Sequence, residues 1–332
     1  MKIEQPYLLF LGEAPDQLAA KTAQGIKDWR PDWCLGQLRL PGCKADLKLP
    51  DMTVAEAAAK GAKTMILGVA NRGGKFGPAW VGQMLDALDH GMDLASGLHN
   101  KLTDIPQVVA KAKEKGRHLH DVRHPTQEFP VGEGKARSGK RLLAVGTDCS
   151  IGKMYTTLAL EKEMLKRGLK ATFRATGQTG IFIAGSGVSV DAVVADFISG
   201  SVEVITPPND PDHWDLVEGQ GSLFHPSYAG VTLGLIHGSR PDALVLCHEP
   251  TRKHMRGLPH YPLPDIGDCM DASRRAAQLV NPAVKFVGIS VNTSGLPKSD
   301  GEAYLAELER KYKLPAVDPL RSGVGRIVDQ LW

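Results

Sequence analysis

The sequence predicts an α/β protein of two domains, each built on a mostly parallel sheet. Short apolar runs alternate with helix-length amphipathic stretches, the pattern of βα units covered on both faces. Val131-Gly-Glu-Gly-Lys-Ala-Arg-Ser-Gly-Lys140 interrupts this alternation with glycine and charge, after Pro125 and Pro130. It reads as a linker between a domain at 1–130 and another at 141–332. Finally, Leu142-Leu-Ala-Val-Gly-Thr-Asp-Cys-Ser-Ile-Gly-Lys-Met-Tyr155 passes from an apolar run through a tight polar turn into an amphipathic stretch. That is the order of a strand, a phosphate loop and a helix.

Before the linker, apolar runs predict strands at Tyr7–Leu11, Thr64–Ala70 and Leu119–Val122. Helical spacing predicts helices at Asp16–Lys27, Val54–Lys60, Ala79–Asp89 and Gln107–Lys115, with Pro78 a suitable first helical residue. Gly68-Val-Ala-Asn-Arg-Gly-Gly74 closes the second strand. Its glycines permit close backbone approach and Arg72 offers an anion partner, but the spacing is not G-x-G-x-x-G. Past the linker, strands are expected at Arg141–Gly146, Ala171–Ala175, Asp215–Glu218, Ala243–His248 and Lys285–Val291. They alternate with helices near Lys153–Arg167, Ala192–Ser199, Tyr228–His237, Asp268–Leu279, Gly301–Tyr312 and Val324–Leu331. Met154, Leu158 and Leu165 share one helical stripe, and Gly168 supplies its stop.

Bulk composition narrows the function classes. At 332 residues the chain is long for one core. It is 42% hydrophobic and 23% charged with a net charge of +3, which gives no electrostatic reason to expect nucleic acid or an anionic membrane as partner. No apolar run approaches the ~20 residues of a membrane span, and Met1–Leu11 lacks a leader pattern, so a cytoplasmic protein is expected. Cys34, Cys43, Cys149, Cys247 and Cys269 are scattered without C-x-x-C spacing, which points to free thiols and no structural zinc. A homo-oligomer, most simply a symmetric dimer, is the expected assembly.

Ligands of open α/β sheets sit at the carboxyl ends of the strands, so the polar residues there carry most weight. The loop Thr147, Asp148, Cys149, Ser150, Ile151, Gly152 and Lys153, with Met154 and Tyr155 opening the helix, offers main-chain amides and one cation to phosphate. Nucleotide hydrolases place a Ser or Thr hydroxyl on Mg²⁺ at the position held here by Met154, and a thioether is a poor ligand for that ion. The loop is therefore expected to hold phosphates without a metal. Glu218 ends a strand and is followed by two glycines. A partly buried carboxylate there suits a general base with a raised pKa, although the same group can simply order the turn through backbone N–H bonds. His225 follows closely enough to share that site. Arg174, at another strand end, and Arg252, in the cationic stretch His248–Arg256, are guanidinium candidates for a carboxylate or phosphate; a plain salt bridge is the alternative for Arg174.

Gly146–Lys153 together with Val217-Glu-Gly-Gln-Gly221 resembles the phosphate loop and acidic strand end of dethiobiotin synthetase and related P-loop ligases. A resemblance covering nearly the whole chain rests on Ala70-Asn-Arg-Gly-Gly74, Gly177-Gln-Thr-Gly180, Val217-Glu-Gly-Gln-Gly-Ser-Leu-Phe-His-Pro226 and Leu246-Cys-His-Glu-Pro250. These motifs are similar to those of the D-glutamate N-acetyltransferases, a family first described as a domain of unknown function. The resemblance implies a Rossmann-like N-terminal domain and a P-loop NTPase-like C-terminal domain. It also implies acetyl transfer from acetyl-CoA to the amine of an acidic D-amino acid, a small-molecule acceptor, with no metal. Lys153 and the loop amides would then anchor the cofactor, with Asn292 and Val317-Asp-Pro-Leu-Arg321 near its base. Glu218, with His225 as second choice, would take the amine proton, and Arg72, Arg174 and Arg252 would face the acceptor carboxylates. The rival reading is an ATP- and Mg²⁺-dependent P-loop ligase or kinase.

Overall fold

The computed structural model describes residues 2–69 and 76–332. Arg72 and the rest of the Ala70–Gly74 motif lie outside them. The chain divides into two compact units, one of Met1–Thr126 with Gly177–Ala192, the other of Gln127–Thr176 with Val193–Trp332.

In the first unit, β1 (Tyr7–Gly12), α1 (Lys21–Trp29), β2 (Cys34–Arg39), α2 (Val54–Ala59), β3 (Thr64–Leu67), α3 (Pro78–Asp89), β4 (Asp93–Ser96), α4 (Pro106–Lys115) and β5 (Leu119–Asp121) follow one another. The five strands are parallel in the order β2-β1-β3-β4-β5. Tyr7–Leu11 is fully buried, which is why β1 reads as an unbroken apolar run rather than an alternation. Helix α2 starts on a capping box, the Thr53 side chain accepting from Glu56 N–H while the Glu56 carboxylate takes Thr53 N–H. β2 and β4 were not among the expected strands. β2 is an edge strand carrying Gly36 and Gln37, and β4 opens on Asp93, whose carboxylate accepts the His118 N–H, so neither shows a plain apolar run.

The second unit opens with β6 (Lys140–Gly146), α5 (Lys153–Lys166) and β7 (Ala171–Arg174). The Gly177-Gln-Thr-Gly180 motif starts α6 (Gln178–Ala184), which belongs to the first unit and packs against α1. The chain then returns through α7 (Ile198–Ile205), β8 (Trp214–Val217), α8 (Ala229–Ser239), β9 (Ala243–His248), a hairpin of β10 (His254–Met255) and β11 (Leu258–Pro262), α9 (Ile266–Gln278), β12 (Lys285–Val291), α10 (Lys298–Tyr312), β13 (Ala316–Val317) and α11 (Gly325–Val328). The helix expected at Ala192–Ser199 is instead two short 3-10 turns, with the regular helix beginning at Ile198. Val193 and Val194, both β-branched, sit between those turns and disfavour a continuous helix.

Six strands form a parallel sheet in the order β13-β12-β9-β6-β8-β7. From β6 the chain moves outward to β7 and returns through β8, whereas β9, β12 and β13 build the other side. The order of strands therefore reverses between β6 and β9, and a crevice opens at their carboxyl ends. Gly146 pairs with Cys247 and Val291 with His248, so three strand ends stop level beside the phosphate loop. The linker segment is held to this unit, with Glu203 accepting the N–H groups of Glu133 and Gly134, and Arg137 donating to the Thr206 and Gly238 carbonyls.

Candidate active site at the phosphate loop

Two residues in the left-handed region bend the loop, Ser150 at φ 52° and Gly152 at φ 106°. Gly152 is also the N-cap of α5 and provides no side-chain cap, leaving the first N–H groups of the helix directed out of its end. Lys153 is 5% exposed and its Nζ donates to the Asp148 carbonyl at 2.7 Å, strapping the loop. Burial lowers the pKa of this ammonium. One turn on, the Thr156 and Thr157 hydroxyls bond back to the Gly152 and Lys153 carbonyls at 3.0 and 2.8 Å. Thr156 also meets Ser290 Oγ at 2.7 Å. Neither hydroxyl replaces the one missing at Met154.

The floor of the loop rests on β9. A Cβ on Gly146 would stand 2.6 Å from Ile151 Cδ1 and 3.0 Å from the Cys247 carbonyl. The Thr147 N–H donates to that carbonyl at 3.2 Å, and its hydroxyl meets His248 Nδ1 at 3.0 Å. Burial pushes the His248 imidazole down to about 4. Burial likewise pushes the Cys247 thiol up to about 11 and raises that of Cys149.

Asp148 is fully buried, and its carboxylate organises the mouth of the loop. Oδ1 accepts the Cys149 N–H at 2.6 Å, while Oδ2 accepts both Arg252 Nη1 and the Arg256 N–H at 2.8 Å. The Arg252 guanidinium also donates to Cys149 O, Ser150 O and Glu249 Oε2. It is thus an internal tie between the phosphate loop and the hairpin. Arg174 is tied as well, its Nε donating to the buried Asp215 carboxylate at 2.7 Å.

Glu218 follows β8 and is 4% exposed. Its Oε2 accepts the Thr176 N–H at 2.9 Å, and its carbonyl accepts the Thr176 hydroxyl at 2.7 Å. The next residue must be glycine, because a Cβ on Gly219 would lie 1.7 Å from the Ala144 carbonyl and 2.9 Å from Lys153 Cδ. This close approach sets the Glu218 turn against the phosphate loop. His225 is 1% exposed, with Nδ1 accepting the Ser227 N–H at 3.2 Å. Nε2 then carries the proton and donates to the Arg256 carbonyl at 3.1 Å. Both ring nitrogens are engaged, so His225 bridges the turn after Glu218 to the hairpin. Ligating atoms of Asp148, Cys149 and His225 come within 4.8 Å of one another, but the Arg252 guanidinium already occupies the Asp148 carboxylate.

Asn292 extends beyond β12, its N–H on the His248 carbonyl and its side-chain oxygen accepting the Ser294 N–H. Asp318 shapes the neighbouring 317–321 loop. Burial raises its pKa, but hydrogen bonds from the Thr293 hydroxyl and the N–H groups of Thr293, Leu320 and Arg321 bring it below the usual range. Sequence reasoning singled out the cationic stretch His248–Arg256 but not the hairpin into which it leads, and it gave Thr176 no role. Thr176 was missed because its bond to Glu218 spans two strands, and the hairpin because its short strands alternate no apolar residues.

The family described as the P-loop domain of DUF1611 matches residues 130–328, and the Rossmann-like DUF1611_N matches residues 38–125. Both agree with the domain types that the motifs imply. A D-glutamate N-acetyltransferase of Tritonibacter scottomollicae is 60% identical over 329 residues, 99% of each chain. A second D-glutamate N-acetyltransferase, from a Pseudoalteromonas species, is 50% identical over 331 residues, the full length of both. The crystal structure of a DUF1611 family protein from Anabaena variabilis superimposes with a TM-score of 0.86 at 30% identity, covering 98% of this chain and 99% of that one. With these matches running over nearly its whole length, the chain belongs to the DUF1611 family, alongside its D-glutamate N-acetyltransferase relatives.

Proposed function

We propose that this protein is an N-acetyltransferase that moves the acetyl group of acetyl-CoA to the amine of an acidic amino acid, D-glutamate. The observation that carries this reading is the phosphate loop itself. It keeps the uncapped helix terminus and the buried lysine that suit phosphate, while Met154, Thr156 and Thr157 leave no hydroxyl for Mg²⁺. Acetyl transfer from a thioester needs no metal. The names of the two relatives support the reaction class and the choice of acceptor.

Acetyl-CoA supplies an acyl group already activated as a thioester. The chain's residues then have three tasks. The loop amides and Lys153 hold the phosphates, with Asn292 and the Asp318 loop placed to border the base. Glu218 takes the proton that the acceptor ammonium must lose before its nitrogen can attack. It is the better base than His225, whose two ring nitrogens are already spent on Ser227 and Arg256. The N–H groups of the glycines after Glu218 are the donors for the charge that develops on the acyl oxygen, each worth ~3–4 kcal/mol when well aimed.

Incubating the protein with acetyl-CoA and a panel of D- and L-amino acids, while following free thiol, tests the reading. Thiol release with D-glutamate well above that with neutral amino acids is expected. Tight Mg-ATP binding without any acetyl-CoA binding would overturn it in favour of a P-loop ligase.

A further inference from the structure

Three arginines were candidates for the acceptor's carboxylates. Arg174 and Arg252 are spent on Asp215 and on Asp148 with Glu249, and Arg72 lies outside the described residues. A different cation is positioned for the task. Arg256 has its main chain fixed at both ends, its N–H on the buried Asp148 carboxylate at 2.8 Å and its carbonyl on His225 Nε2 at 3.1 Å. Its side chain is exposed, and among the described residues the guanidinium has neither a hydrogen bond nor an ion pair. It lies near enough to Cys149 to favour that thiolate electrostatically, which places it at the mouth of the phosphate loop.

Arg256 lines a hollow of about 380 Å³ with Arg252, His254, Met255, Leu258 and Pro259. The hollow joins two features an acidic amino acid needs. Met255, buried, and Leu258, half-buried, give its methylenes an apolar wall, while Arg256 and His254 bring donors to its rim. The bond from His225 to the Arg256 carbonyl links this rim to the turn after Glu218, the proposed base. We propose that the hairpin hollow is the acceptor site and that Arg256 is the specificity-determining residue, its guanidinium forking onto the acceptor's side-chain carboxylate. A guanidinium held by its backbone and lacking an internal partner loses little on engaging such a group.

This rests on the acetyltransferase reading only for the identity of the ligand, so the test separates the two. Titration calorimetry of wild-type protein with D-glutamate, in the presence of saturating coenzyme A, measures binding directly. Arg256→Gln is expected to weaken D-glutamate binding by roughly tenfold to a hundredfold, the worth of a charged hydrogen-bonded pair. Arg256→Lys should recover only part of it, and D-glutamine should bind both variants and wild type about equally weakly. Coenzyme A affinity should be unchanged in both variants, and thermal melting should show both folded, since the side chain is exposed. Unchanged D-glutamate binding in Arg256→Gln would overturn the proposal. So would a selective loss of coenzyme A affinity, which would make the hollow a phosphate subsite, or an absence of D-glutamate binding to the wild type. Wild-type binding of D-glutamate without thiol release from acetyl-CoA would instead count against the acetyltransferase reading alone.

Discussion

Asp148 and Arg252, 104 residues apart in the chain, form an ion pair of 2.8 Å that closes the β10–β11 hairpin onto the phosphate loop. The carboxylate is fully buried and the guanidinium is only partly exposed, so removal of the negative charge leaves the cation in poor solvent with Glu249 and two loop carbonyls as its partners. Breaking a pair of this kind costs ~3 kcal/mol, at the low end of the buried range because Arg252 keeps some water. Asp148→Asn is therefore expected to lower the urea midpoint by that amount and to loosen the hairpin. Faster proteolysis at residues 252–262 would report the second effect, and an unchanged midpoint would show that the pair is not what holds this region.

The proposed acetyl transfer yields a prediction about metal removal. Acetyl transfer should be the same in EDTA as in millimolar Mg²⁺, because Met154 offers only a thioether and the Thr156 and Thr157 hydroxyls are turned back onto the Gly152 and Lys153 carbonyls. Met154→Ser restores the missing hydroxyl. That variant should gain Mg²⁺-dependent ATP binding while keeping its coenzyme A affinity, a pair of titrations that locates the loss of metal chemistry at one residue.

The contrast between two glycines tests the packing. Gly219 sits where a Cβ would overlap the Ala144 carbonyl at 1.7 Å, and backbone cannot retreat as a side chain does. Gly219→Ala should cost ~3 kcal/mol or more, by the overpacking of a filled site. Gly82 is in the middle of α3 with nothing within 4 Å of its Cβ position. Gly82→Ala should stabilise by ~1 kcal/mol, the helix preference for alanine. Denaturant melts of the two variants should therefore move in opposite directions.

Much of this architecture was legible in the chain itself. Ala243–His248 and Lys285–Val291 emerge with the same bounds as read from the sequence, because strands inside a parallel sheet are buried on both faces and appear as apolar runs with polar ends. The positions of Lys153 at the start of its helix and of Glu218 just past its strand were legible because a strand followed by glycine is a local signal. Cys34–Arg39 escaped notice since its buried Gln37 bonds Asp46 and the Leu47 N–H, a polar residue satisfied by tertiary partners. The commitments of Arg252 and Arg174 were equally hidden. Whether a guanidinium is free for a ligand depends on a carboxylate that the fold brings from tens of residues away, as Asp215 is brought to Arg174.

His248 gives a pH dependence whose direction follows from burial. Its imidazole is pushed down to about 4 from the ordinary 6.5, while the neighbouring charges of Glu249, Arg252 and Asp265 pull in both directions. Between those values the unfolded chain binds the proton and the folded protein does not, so stability is full above 6.5 and is lost as pH falls through the window. At 1.36 kcal/mol per unit the loss amounts to roughly 3 kcal/mol. His248→Gln retains a partner for the Thr147 hydroxyl but cannot titrate. Its urea midpoint should vary less than that of the wild type between about pH 4.5 and 7.5.

Substitution at Glu218 separates positioning from proton transfer. Glu218→Gln keeps an oxygen for the Thr176 N–H, and the backbone bond to the Thr176 hydroxyl is untouched, so the turn should hold its shape. A neutral amide cannot take a proton from the acceptor ammonium, and a general base of this kind contributes 10²–10⁴-fold. The expected result is a fall in kcat of about that size with coenzyme A affinity unchanged, and with partial recovery at high pH, where more of the amine is already free. His225→Gln should behave differently, because that ring ties Ser227 to the Arg256 carbonyl. Its main effect should fall on the KM for the acceptor, through the hairpin, with kcat reduced less. A Glu218→Gln protein with wild-type kcat, or a His225→Gln protein showing the larger fall in kcat, would reverse these two roles.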